Sequence, residues 1–181
     1  MASSTISPEA RSLAQRYLSR RQMLGGTLAA GALLAFTGFR KTKEIEAYNA
    51  RAAQANQPTL FDQLGGLLGI SLVIQDFINI VANDNRINSF FAGTVANGRI
   101  PHLEEKLIEQ VANATGGPVQ YTGLDMKTAH AGMGITTSAF NALVEDLAQA
   151  LKDQGVSDDA AMMLLGALAP LKDQIVEIPD Q

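Results

Sequence analysis

From Leu67 to about Ala82 the apolar residues Ile70, Val73, Ile74, Phe77, Ile78 and Val81 recur every three or four positions. That period predicts a helix with one buried face. Ahead of it, Thr59-Leu60-Phe61-Asp62 has the spacing of a capping box opening a short helix, and Gly65-Gly66 break that helix from the long one. Asn83-Asp84-Asn85 end the long one. A further helix is predicted from Pro101 to about Ala114, with Leu103, Leu107 and Val111 along one line, because proline's missing N–H suits a first turn. Thr136 or Thr137 can cap the next, which carries Phe140, Leu143, Val144, Leu147 and Leu151 on one face and stops at Gly155. Ser157 caps the last, with Asp158 and Asp159 favourably placed at its positive end. Met162, Met163, Leu164, Leu165, Leu168, Leu171 and Ile175 are expected on the apolar side of this helix, with a kink at Pro170. No strand-like alternation of useful length appears, so the fold class is all-α.

The N-terminal third follows another pattern. Residues 1–21 are polar and basic, with Arg11, Arg16, Arg20 and Arg21 against the single acid Glu9. From Gln22 to Phe39 no side chain ionises, and as a helix this run would extend roughly 27 Å, the lower edge of a bilayer core. Arg40, Lys41 and Lys43 follow it directly. A packed core helix explains poorly why basic residues flank the run on both sides. Ser19-Arg20-Arg21-Gln22-Met23-Leu24 resembles a twin-arginine export signal, and the Gly- and Ala-rich run fits that class. Residues 1–55 are therefore read as a twin-arginine-like signal or membrane anchor plus linker, and 56–181 as one globular domain. Ala53-Gln54-Ala55 offers a small-x-small cleavage site, while an uncleaved chain would keep residues 22–39 as a tether behind a polar, alanine-rich helix at 40–55. Either way the expected location is periplasmic, exported or membrane-anchored.

Composition narrows the chemistry. With 181 residues, 46% of them hydrophobic, the chain can bury one core. A net charge of -4 argues against a nucleic-acid partner, which needs a basic face. The chain has no cysteine, which excludes cysteine-based zinc and iron–sulfur sites and any disulfide. No Ser-His-Asp order, P-loop or dinucleotide fingerprint is present, so no self-contained catalytic constellation can be named. Asp84, Glu104, Glu105, Asp158 and Asp159 read as solvated helix-end or surface acids. That leaves two histidines, His102 and His130, of which His130 stands between glycine-rich breaks and just ahead of a long helix.

Gly116-Gly117-Pro118, Tyr121-Thr122-Gly123, Met126-Lys127, His130 and Gly132 together resemble the proximal region of the group 1 truncated haemoglobins, the 2-on-2 globins. Leu60-Phe61-Asp62-Gln63-Leu64-Gly65-Gly66, Asp76-Phe77, Asp84, Phe90-Phe91 and Gly93 resemble that family's first helices and the turn beyond them. Phe140 to Glu145, Gly155-Val156 and Leu168-Ala169-Pro170-Leu171 resemble its last two. The resemblance spans about Thr59 to Glu177 and implies a truncated globin fold with haem b. It makes His130 the proximal iron ligand through a neutral imidazole nitrogen, the other nitrogen being fixed by an acceptor such as a backbone carbonyl. Phe77, Phe91, Leu103, Leu107, Met126 and Met133 would line the porphyrin, and Lys127 or Arg99 would meet a propionate. Within the family the chain also resembles the exported subset, but Ala112 and Val119 stand where those members often carry cysteines.

The distal side departs from the pattern. Ile78 stands where tyrosine is usual, and Leu103, Leu107 and Val111 face the ligand, so all four positions are apolar. Gln110 and His102 would face the iron only if their helix rotated or shifted register. Dioxygen on haem iron draws partial negative charge and is held by a distal hydrogen bond, so this pocket favours NO or CO over O₂. The expected function is binding of a diatomic gas, with NO scavenging the one turnover the resemblance leaves open and no electron supply encoded in the chain. The competing expectation is a haem-free globin fold that serves as a structural or partner-binding subunit of a membrane complex.

Overall fold

The structure, a computed structural model, describes residues 58–179. The signal or anchor run at 22–39, the stretch at 40–55 and the small-x-small site lie outside these residues. Helix α1, Leu60–Gln63, opens on the expected capping box, in which the Thr59 hydroxyl accepts from the Asp62 amide and the Asp62 carboxylate accepts from the Thr59 amide. Gly65 and Gly66 both take positive φ, +80° and +65°, and turn the chain into α2, Gly66–Asn83. A Cβ on Gly69 would run into the Leu64 carbonyl, so the tightness of this corner depends on a hydrogen at that position.

Helix α2 buries Leu67, Ile70, Ser71, Val73, Ile74, Phe77 and Val81, the period read from the sequence. It is apolar and long enough to cross a bilayer, yet it packs inside the domain against α4, Ile100–Ala114, and α6, Thr137–Asp153. Between α2 and α4 come a 3₁₀ turn at Asn88–Phe91 and the short α3, Ala92–Ala96. Beyond α4 lie the five-residue α5, Met126–His130, then α6, α7 at Asp158–Leu168, a 3₁₀ turn at Ala169–Leu171 and α8 at Lys172–Ile175. Pro170 interrupts the last helix as expected, by converting it to 3₁₀. Thr136 and Ser157 are the caps of α6 and α7. Among the described residues the only extended pairing is an isolated parallel bridge between Thr136 and Ile178.

Two expectations need correction. Met162 and Met163 are 64% and 54% exposed, because α7 meets α1, α4 and α6 through Ala160, Leu164, Leu165 and Leu168, and the helical period turns the methionines outward. Glu104, read as a solvated acid, is buried, and its carboxylate accepts from the Gln75 amide at 3.0 Å across the α2–α4 contact.

The core is divided. Its larger part lies among α1, α2, α4, α6 and α7, while Met126, Ile135, Phe140 and Ile175 form a smaller cluster. Half-buried Phe90 and Ala139 pack against both.

Alanine substitutions separate the corner from an ordinary helix position. Gly69→Ala is expected to destabilise by about 1–3 kcal/mol, the scale of overpacking a filled site. Gly166→Ala on α7, where an added Cβ meets nothing within 4 Å, is expected to stabilise by about 0.5–1 kcal/mol. Urea midpoints of the two full-length variants check the pair; a stabilising Gly69→Ala contradicts the close approach of α1 to α2.

Candidate functional site

Helix α5 is too short to persist alone, since a single turn fixes several dihedrals for almost no hydrogen-bond return. Three local devices hold it. The Asp125 carboxylate caps its start by accepting from the Thr128 amide at 3.0 Å, and Met126 is buried in the smaller cluster. The loop leading into it is pinned to α4 by Glu109. One oxygen of that carboxylate accepts from the Thr122 amide at 3.0 Å, the Thr122 hydroxyl at 2.7 Å and Lys106 Nζ at 3.0 Å. Lys106 also donates to the Thr122 hydroxyl at 2.6 Å. Burial alone would push the Glu109 carboxyl up, but the Thr122 and Lys106 donors together hold it below the ordinary glutamate range.

At the end of α5, His130 Nδ1 lies 2.7 Å from the Met126 carbonyl. A carbonyl only accepts, so Nδ1 carries the hydrogen, and in the neutral ring Nε2 keeps its lone pair. This is the acceptor that a ligating imidazole needs, and it comes from one turn back on the same helix.

The Gln110 side-chain amide reaches Met126 Sδ at 3.3 Å, joining α4 to α5. Gln110 thus faces α5. Leu107 and Leu103 lie on the same line of α4, about one and two turns back from this contact, and both are half-buried. His130 lies one turn on along α5 from Met126 and is also half-buried. The two helices therefore meet at Gln110 and Met126, with half-buried Leu103 and Leu107 further back along α4 and the His130 imidazole one turn on along α5. His102 is paired on the surface with Glu105 at 3.7 Å.

The other sequence-derived positions divide between the two halves of the core. Phe77 and Val111 are buried in the larger cluster, and Ile78, Phe91 and Leu107 are half-buried against it. Met126 belongs to the smaller one, and Met133, in the turn after α5, is 37% exposed. Lys127 and Arg99 are exposed. The residues fit a flat apolar group with one nitrogen donor. Half-buried Ile78, Phe91 and Leu107 on the larger cluster, Met126 in the smaller one, and an imidazole with Nδ1 already committed are the kinds of surface and ligand such a group needs.

The sequence profile of the bacterial-like globins matches residues 59–177. The chain belongs to the bacterial-like globins. Its curated relatives within that family include group 1 truncated haemoglobins. It is 37% identical over 126 residues to one from Mycolicibacterium paratuberculosis, covering 70% of this chain and 90% of that one. It is 35% identical over 102 residues to another from Tetrahymena thermophila, covering 56% and 81%. Among solved structures, the truncated haemoglobin of Tetrahymena pyriformis in its Fe(III) form superposes with a TM-score of 0.61 at 27% identity, over 65% of this chain and 97% of that one. The 2/2 haemoglobin of a Synechococcus species, solved in the cyanomet state with covalently attached haem, gives 0.57 at 26%, over 65% and 98%. Haem b is the cofactor typical of this globin family.

Glu109 and Lys106 escaped the sequence reading. Their spacing of three on one helix is visible in the chain, but Thr122, the partner that gives them a role, lies thirteen positions from Glu109 and is brought there only by the loop.

The Glu109 pin carries a pH signature. Its carboxyl is lower in the folded than in the unfolded protein, so its contribution is complete above about pH 4.3 and is lost as pH falls through the folded value. Glu109→Gln is expected to cost about 1.5–3 kcal/mol at pH 7, the worth of hydrogen bonds to a charged group. Urea titrations from pH 7 downward check this: the gap between parent and variant shrinks below about pH 4, and a gap constant with pH contradicts it.

Proposed function

We propose that this globin binds haem b between α4 and α5, with His130 Nε2 as proximal ligand, and that it binds a diatomic gas on the side lined by Ile78, Leu103, Leu107 and Val111. The observation that carries the reading is the Nδ1–H bond from His130 to the Met126 carbonyl, which orients the ring and leaves Nε2 as the electron-pair donor. Phe77, Phe91, Met126 and Met133 complete the apolar contact, and Lys127 or Arg99 meets a propionate at the exposed edge. The haem iron supplies the open coordination position at which a gas molecule binds.

The residues of this chain decide which gas is favoured. Ile78, Leu103, Leu107 and Val111 carry no hydrogen-bond donor, so nothing on these four side chains stabilises the negative charge that dioxygen acquires. NO and CO depend less on such a donor, and the site favours them over O₂. Capture of NO at the iron is the chemistry this preference suits; turnover of NO to nitrate would in addition need O₂ as co-reactant and one electron per cycle from a separate reductase. A haem-free docking scaffold explains less well why a half-buried imidazole is fixed with Nδ1 on a carbonyl and Nε2 left to bind a metal.

The basic and apolar residues 1–55 support export by a twin-arginine route or anchoring through 22–39, which would place the globin domain in the periplasm or at a membrane surface. Cell fractionation with N-terminal sequencing tests this, and a mature chain starting at Asn56 rules out the tether.

Full-length protein from haem-replete cells is expected to show a Soret band that His130→Ala removes or shifts; an unchanged band rules out this ligand. Ile78→Tyr is expected to slow dioxygen release about tenfold, the factor that one hydrogen bond of about 1.4 kcal/mol supplies. Stopped-flow dissociation measures it, and an unchanged rate places the gas elsewhere than beside Ile78.

A further inference from the structure

The loop that leaves His130 is gripped by a residue far along the chain. Gly132 and Gly134 adopt positive φ, +78° and +66°, and this turn aims both amides at one carboxylate. Glu177 Oε1 accepts from the Gly132 amide at 2.6 Å and Oε2 accepts from the Gly134 amide at 2.6 Å. The backbone around Glu177 is fixed in turn. The Glu177 and Ile178 amides donate to the Ile135 carbonyl at 2.9 Å and 3.1 Å, and Thr137 donates to the Ile178 carbonyl at 3.2 Å. Ile175, two residues back, is buried in the cluster that holds Met126, and α8 packs on α5.

We propose that Glu177 is a positioning residue for the proximal imidazole: its two-pronged carboxylate clamp fixes the loop leaving His130 and places a negative charge on the proximal side of the haem. The proposal rests on His130 as the iron ligand. Asp125 and Met126 secure the start of α5, whereas the end that carries the imidazole runs directly into this loop, where the Met133 amide donates to the His130 carbonyl at 3.2 Å. A carboxylate that accepts two backbone N–H bonds is a strong clamp because both bonds are charge-assisted. The Gly132 and Gly134 amides hold the Glu177 carboxyl below its ordinary range.

The test uses full-length Glu177→Ala, Glu177→Gln and Glu177→Asp. In the haem-free protein, amide hydrogen exchange at Gly132 and Gly134 is expected to accelerate about tenfold or more in Glu177→Ala, the factor for losing a charge-assisted hydrogen bond. In the haem-loaded ferrous protein, the iron–imidazole stretching band in resonance Raman is expected to shift and broaden in Glu177→Ala, and to return towards the parent in Glu177→Asp. The reduction potential is expected to rise in both Glu177→Ala and Glu177→Gln, because both remove the charge that stabilises ferric iron, with the larger band shift in Glu177→Ala. Faster exchange with an unmoved band and potential overturns the proposal, since the clamp then serves only the fold; parental values throughout overturn it as well. His130→Ala measured alongside separates the two readings. If that variant keeps the parental haem spectrum, the ligand assignment fails and the clamp proposal with it. If it loses the spectrum while the Glu177 variants match the parent, only the clamp fails.

Discussion

The five-residue helix that carries His130 cannot persist by its own hydrogen bonds. Much of the structure around α5 answers that constraint. Asp125 caps the start of α5, Met126 anchors it in the smaller cluster, Glu109 and Lys106 pin the preceding loop to α4, and Glu177 holds the following one. The Met126 carbonyl then sets which ring nitrogen carries hydrogen. These contacts come from α4, α5 and the C-terminal segment, so the orientation of the proposed ligand reports on the assembly of the proximal side as a whole.

The α4 side follows a different logic. Helix α4 presents one buried face to α2 through Ile108, Val111 and Ala112, and a second, half-buried line through Leu103, Leu107 and Gln110. The first face belongs to the larger core, and the second stays half-buried. Half-buried leucines are costly in water, and on the proposed reading a flat apolar cofactor relieves that cost. On the same reading, gas preference depends on the four aliphatic residues Ile78, Leu103, Leu107 and Val111.

Most of the fold was legible because it depends on local signals. The period of Ile70 to Val81, the Thr59–Asp62 box, the Thr136 and Ser157 caps and the interruption at Pro170 are all written within a few residues of where they act. His130 stood out because only two histidines exist and one is flanked by glycine breaks. The errors and omissions concern partners distant along the chain. Met162 and Met163 carry the same apolar signal as Leu164 and Leu165, and only the placement of α7 on α1, α4 and α6 decides which pair is buried. Glu104, Glu109 and Glu177 look like surface acids until Gln75, Thr122 and the Gly132 and Gly134 amides arrive from 29, 13, 45 and 43 positions away. The contact of Gln110 with Met126 was likewise invisible in the sequence, because it joins residues 16 positions apart on two helices.

The central claim is that His130 grips iron through Nε2 while Nδ1 stays on the Met126 carbonyl. The most direct measurement is a crystal structure of the full-length protein loaded with haem. The account predicts an iron–Nε2 bond to His130, the Nδ1–H bond to Met126 intact, and porphyrin in contact with Leu103 and Leu107. Iron bound by another side chain, or Leu103 and Leu107 packed directly on α5 with no haem between them, contradicts it.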